Sequence, residues 1–186
     1  MKQRLFIGFR LPSEIQDYLV AIQNQLGRKS PVRWVRRENL HLTLRFLGET
    51  EAGLIRPIST SLSQLAANYA PVTLTLTELG YFPNADRPNV VWAGMKGDIR
   101  PMKQLRAEID LMLDSHGFKR DRYGFNPHLT LGYIKKGITK RPRQLPATLA
   151  LKQHTFTLNA LSLIRCELTP NGPRYTDVAT CSLPSP

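Results

Sequence analysis

Apolar and polar positions change period several times along the chain, and each change predicts an element. Residues 4–10 form an apolar run that reads as a strand. Pro12-Ser13-Glu14 then opens a helix, with Ser13 as the expected N-cap. Ile15, Tyr18, Leu19, Ile22 and Leu26 follow at helical spacing until Gly27. Residues 32–36 predict a short strand, and residues 40–47 alternate strongly enough to predict another. A second helix is expected over 51–67, with Leu54, Ile55, Ile58, Leu62 and Leu65 on one face. Strands follow at 72–79 and 89–95, and a third helix at 99–115 turns Met102, Leu105, Ile109, Met112 and Leu113 inward. A strand at 129–134 precedes a basic, proline-containing connection over 135–148. Two late strands, 154–167 and 174–182, flank an Asn171-Gly172 turn.

Helices and strands are interspersed, yet several strands are joined by turns too short for a parallel crossover. The class expected is therefore α+β with antiparallel sheets. No linker is long enough to separate two independent units, so residues 1–186 read as one domain.

Inside that pattern lies a repeat. His41-Leu42-Thr43-Leu44 recurs as His128-Leu129-Thr130-Leu131. At average residue usage, a repeated tetrapeptide containing histidine arises by chance in about one chain of this size in a hundred. On a strand, residues i and i+2 share a face. His41 and Thr43 then point one way, with Arg45 beside them, while Leu42, Leu44 and Phe46 point the other. His128 and Thr130 stand likewise against Leu129 and Leu131. Two such strands facing one groove would surround a small anion with two imidazoles and two hydroxyls.

That group suits phosphoester chemistry. Imidazole titrates near neutrality, so one ring can accept a proton while the other donates one. The threonine hydroxyls can donate hydrogen bonds to non-bridging phosphate oxygens. The scheme requires no metal or cofactor, and neither motif carries a second ligand at i+2 or i+4 as zinc sites do. His116 and His154 lie outside the repeat and read as incidental.

The 186 residues carry 26 Lys plus Arg against 14 Asp plus Glu, a net charge of +12. That surplus favours a polyanionic partner such as nucleic acid. Two cysteines, Cys166 and Cys181, make no disulfide framework. No run is apolar enough to span a bilayer and no targeting segment stands out, so a cytoplasmic location is expected, without an obligate protein partner.

The paired motifs resemble those of the 2H phosphoesterase superfamily. Asn39-Leu40-His41-Leu42-Thr43-Leu44-Arg45-Phe46-Leu47-Gly48-Glu49 and Pro127-His128-Leu129-Thr130-Leu131-Gly132 are similar to bacterial and archaeal RNA 2′,3′-cyclic phosphodiesterases, also called 2′-5′ RNA ligases. The likeness extends to Arg4-Leu5-Phe6-Ile7-Gly8-Phe9, Gly80-Tyr81-Phe82-Pro83, Val90-Val91-Trp92-Ala93-Gly94 and Gly172-Pro173-Arg174-Tyr175. It implies a bilobal fold with pseudo-two-fold symmetry, helices outside and both motifs in a central cleft. It also implies hydrolysis of RNA 2′,3′-cyclic phosphate ends to 2′-phosphomonoesters, with reversible 2′-5′ ligation of such an end to a 5′-hydroxyl by the same groups. His41 would be the proton donor, His128 the proton acceptor, and Thr43 and Thr130 the phosphate ligands. Relatives often carry arginine where this chain has Tyr133, leaving Arg45, Lys135 and Lys136 as candidate cations near substrate. Phe9, Phe82 and Trp92 are candidates for base stacking. A non-catalytic module that binds RNA ends through the same cleft is the alternative reading.

Overall fold

The computed structural model describes residues 1–27, 30–120, 124–143, 145–170 and 172–184. In chain order the elements begin with β1 (Lys2–Arg10), α1 (Ser13–Gln25), β2 (Val32–Trp34) and a 3₁₀ turn (Arg37–Asn39). Next come β3 (His41–Glu51), a second 3₁₀ turn (Ala52–Leu54), α2 (Ile55–Ala66), β4 (Val72–Phe82), β5 (Val90–Gly97) and α3 (Ile99–Asp114). The chain then runs through β6 (Leu129–Ile134), β7 (Leu149–Ala150), β8 (Thr155–Leu158), β9 (Ala160–Thr169) and β10 (Gly172–Ser182).

The strands fall into two lobes. One runs β10-β9-β1-β3 and the other β6-β5-β4-β7, with β2 beside β6 and β8 beside β4. The paired strands are antiparallel throughout, as the short connections require. The two lobes meet at one paired position, Leu42 of β3 against Leu129 of β6.

Helices back each lobe from the far side of the chain. α1 follows β1 of the first lobe but packs on the second. There the buried Gln23 amide donates to the carbonyls of Val35 and Leu131, both at 2.9 Å. α3 follows β5 of the second lobe but reaches the first, where Arg106 donates to the Leu44 carbonyl. Leu19, Leu42, Ile58, Leu105, Ile109 and Leu129 are all fully buried in the resulting core.

Three local expectations are corrected. The α1 cap is the Pro12 carbonyl, which accepts from Ile15 and Gln16; Ser13 is the first helical residue and no side chain caps this end. The strand expected over 154–167 is two strands. Leu158 of β8 pairs with Val72 in the second lobe, whereas Leu161 of β9 pairs with Phe9 in the first. The chain crosses between lobes at Asn159, and apolar periodicity cannot register a change of partner. Residues 51–54 extend β3 and turn once before α2 begins at Ile55. Gly172 adopts the positive φ of 106° expected of the late turn, while Asn171 lies outside the described residues.

Candidate active site

Each motif histidine opens or immediately precedes its strand, and each is fixed by the same contact. Nδ1 of His41 lies 2.6 Å from the Asn39 carbonyl, and Nδ1 of His128 lies 2.7 Å from the Asn126 carbonyl. A carbonyl can only accept, so Nδ1 carries the proton in both rings and Nε2 is left for chemistry. Continuing the Leu42–Leu129 register by one residue sets His41 across from Thr130 and Thr43 across from His128. The pleat turns these four side chains to the face opposite the two buried leucines.

Aromatic rings hold both imidazoles. The Phe6 ring lies 4.8 Å from that of His41, and Tyr175 meets His41 edge-on at 5.1 Å. In the other lobe Phe82 meets His128 edge-on at 4.9 Å and stacks on Trp92 at 5.1 Å. Trp92 lies flat across β4: a Cβ on Gly80 would sit 2.1 Å from its ring. Gly8 serves the first lobe similarly, since a Cβ there would come within 2.4 Å of the Leu42 carbonyl oxygen. Glycine thus lets β1 close on β3 beside Thr43, its register partner.

The electrostatics of His41 are distinctive. Burial pushes its pKa down to about 4, partly opposed by the Asn39 carbonyl and reinforced by the charges of Arg10 and His128. Arg10 is held in place by Asp177 at 2.8 Å and by the Glu38 carbonyl at 3.2 Å. In the unliganded protein His41 is therefore neutral at pH 7. Burial also raises the Tyr175 phenol to about 12, so it remains a neutral hydrogen-bonding group beside the ring.

Beyond Thr43 the simple alternation fails. The β1–β3 register slips between Ile7 and Gly8 and again between Leu5 and Phe6, so β3 carries extra residues. Arg45 consequently points to the helical side, where its Nε lies 2.9 Å from Asp110 Oδ1 and its Nη2 donates to the Lys119 carbonyl at 2.5 Å. Phe46 moves the other way: it is 64% exposed, with its ring 5.8 Å from Phe6 on the side of His41. Lys135 and Lys136 are exposed at the end of β6. Phe9 is core, fully buried, whereas Phe82 and Trp92 brace His128. His116 hydrogen-bonds Ser61 at 3.1 Å and His154 packs on Tyr18, both away from the motif strands.

Two contributors escaped the sequence reading. Asn39, 4% exposed, supplies the carbonyl for His41 and also donates its side-chain amide to the Pro173 carbonyl at 2.8 Å. Its signal was present, because Asn126 precedes the second histidine by the same two residues. Tyr175 stood in the family likeness, but no periodicity tied it to His41, which it reaches through the β9–β10 hairpin. Among the described residues no three His, Cys, Asp or Glu side chains come together as metal ligands. No described helix is long and apolar enough to cross a membrane.

Two lobes, each presenting an imidazole and a hydroxyl from the same strand position, define a phosphoesterase of the paired-histidine class. The family description LigT like Phosphoesterase fits residues 9–92 and 96–175. An RNA 2′,3′-cyclic phosphodiesterase of Methanothermobacter thermautotrophicus is 31% identical over 96% of this chain and 97% of its own. The crystal structure of a Thermus thermophilus protein superposes with a TM-score of 0.80 at 30% identity, covering 98% of each chain. E. coli LigT complexed with 3′-AMP gives 0.77 at 27% identity, covering 98% of this chain and 99% of that one. The chain belongs to the LigT-like phosphoesterase family of the 2H phosphoesterase superfamily, and it is a hydrolase.

Proposed function

We propose that this protein hydrolyses RNA 2′,3′-cyclic phosphate ends to 2′-phosphomonoesters, with His41 and His128 as the acid–base pair. The observation that carries the reading is the matched Nδ1–H contact in both motifs, which frees both Nε2 atoms on one face. The names of the curated relatives supply the substrate class.

Water attacks phosphorus in line with the 3′ oxygen. His128 Nε2 takes the proton from water, and His41 Nε2 gives a proton to the departing 3′ oxygen. Thr43 and Thr130 donate to the non-bridging oxygens, where charge accumulates. The 2′ ester bond stays intact, so the product keeps its phosphate at the 2′ position. A 5′-hydroxyl in place of water would give its proton to His128, attack phosphorus and expel the 3′ oxygen protonated by His41, leaving a 2′-5′ linkage.

A neutral His41 cannot donate, so its proton must arrive with substrate. The phosphodiester anion would offset the Arg10 charge, which adds to burial in holding His41 low. Arg45 serves here by anchoring β3 to α3 through Asp110. The test is a product assay on an oligoribonucleotide 2′,3′-cyclic phosphate that separates 2′- from 3′-phosphate. The 2′-phosphate is expected, with His41→Ala and His128→Ala each losing at least about a hundredfold in kcat. Stable binding without turnover would replace this reading with that of an RNA-end binding module.

A further inference from the structure

A second polar surface lies beside the cleft. A groove of about 570 Å³ runs between β2 and the turn of the β9–β10 hairpin. Arg33 and Arg36 line one wall, and Thr169, Gly172 and Pro173 line the other. Both arginines are exposed, and among the described residues neither has a carboxylate within ion-pair distance. Nearby Arg10, Arg37 and Arg174, by contrast, are paired with Asp177, Asp17 and Glu167.

The groove is tied to the site at two points. Asn39 links one wall to catalysis directly, because its amide holds Pro173 while its carbonyl holds His41. On the other wall Arg33 stands opposite Tyr133 in the β2–β6 register, with its guanidinium 5.1 Å above the Tyr133 ring. Tyr133, 43% exposed, continues β6 three residues beyond Thr130. Guanidinium groups without carboxylate partners, set along an open groove, suit successive phosphates of a single strand.

We infer that this groove binds the phosphodiester backbone of single-stranded RNA on the 5′ side of the reacting end, with Arg33 and Arg36 as the phosphate contacts. This rests on the function proposed above. A cyclic phosphate closes the 3′ end of a strand, so everything else the substrate carries extends 5′ of the cleft. Asn39 connects this basic groove to His41 through the Pro173 carbonyl on its wall.

The experiment compares a 2′,3′-cyclic mononucleotide with a short oligoribonucleotide bearing the same end, for wild type and for Arg33→Glu/Arg36→Glu. In the double variant, kcat/KM for the oligonucleotide should fall about tenfold further than that for the mononucleotide. Each phosphate contact on a single strand contributes roughly 0.7 to the salt slope, so the slope for the oligonucleotide should drop by about 1.4. Arg56→Glu/Arg100→Glu, on helices α2 and α3, controls for net charge and should leave both quantities as in wild type. An unchanged ratio of the two substrates, or an equal shift in the control variant, overturns the proposal. Fluorescence anisotropy with an oligonucleotide ending in 2′-phosphate reads the groove without turnover. Weaker binding in Arg33→Glu/Arg36→Glu supports the groove even if wild type proves inactive on the cyclic phosphate, and equal binding overturns it.

Discussion

Leu42 and Leu129 face one another as the one register pair joining β3 to β6, and each is completely buried. The four residues proposed to act on the phosphate, His41, Thr43, His128 and Thr130, stand one residue to either side of them. The distance between the two imidazoles is thus set by an apolar contact on the reverse of the sheet.

Leu129→Ala should destabilise the protein by about 2–5 kcal/mol, from lost transfer energy plus the cavity left behind. Leu129→Met should cost less than about 1.5 kcal/mol. Urea denaturation of the three proteins checks this, and a loss below about 1 kcal/mol for alanine would show that the junction relaxes freely.

The depressed pKa of His41 gives stability a pH dependence of known sign. The unfolded imidazole titrates near 6.5 and the folded one near 4, so between those values the unfolded chain binds more protons. The contribution is complete above pH 6.5 and is lost as pH falls towards 4, by roughly 2–3 kcal/mol. His41→Gln should flatten that part of the stability profile relative to wild type. Parallel profiles for the two proteins would contradict the assignment.

Anion binding should carry a proton with it. Isothermal titration of a nucleoside 2′-monophosphate near pH 7, in buffers of different ionisation enthalpy, should show net proton uptake. His41→Gln should show less. Equal uptake in both proteins would mean that His41 stays neutral in the complex.

Gly80 is where the support of His128 is most exposed to change. Gly80→Ala places a methyl group in the Trp92 ring, which must move along with the stacked Phe82. A loss of at least about tenfold in kcat is expected, since small displacements of a catalytic group are costly. Gly53→Ala, with nothing within 4 Å, should leave kcat as in wild type.

Asp110 stands between Arg45 and the buried Arg106. Asp110→Asn removes the carboxylate charge that both guanidinium groups face and should cost about 3–5 kcal/mol in denaturant unfolding. A cost within about 1 kcal/mol would show that solvent reaches this cluster.

The strand period was enough to put His41 with Thr43, and His128 with Thr130, on one face, because each pair spans only two residues and no bulge intervenes. It failed two residues later. Arg45 and Phe46 exchanged faces because β1 slips against β3, and a slip is a property of two strands rather than one. The crossing at Asn159 was hidden for the same reason. Tyr175, Asn39 and Arg33 act through partners far along the chain. Asn39 bonds the hairpin at Pro173, and Arg33 reaches Tyr133 across β2 and β6.

The crossing at Asn159 also bears on how the molecule assembles. Strands β4, β5, β6 and β8, which form most of the second lobe, come from the contiguous stretch 72–158. The first lobe instead needs β1 to wait for β9, whose partners such as Phe9 and Leu161 lie more than 150 residues apart. During synthesis β1 and β3 therefore emerge early with one edge unfilled, and closure of that sheet is the late, slow event. A ribosome-bound chain halted before Ala160 would expose the edge of β1 that β9 later covers.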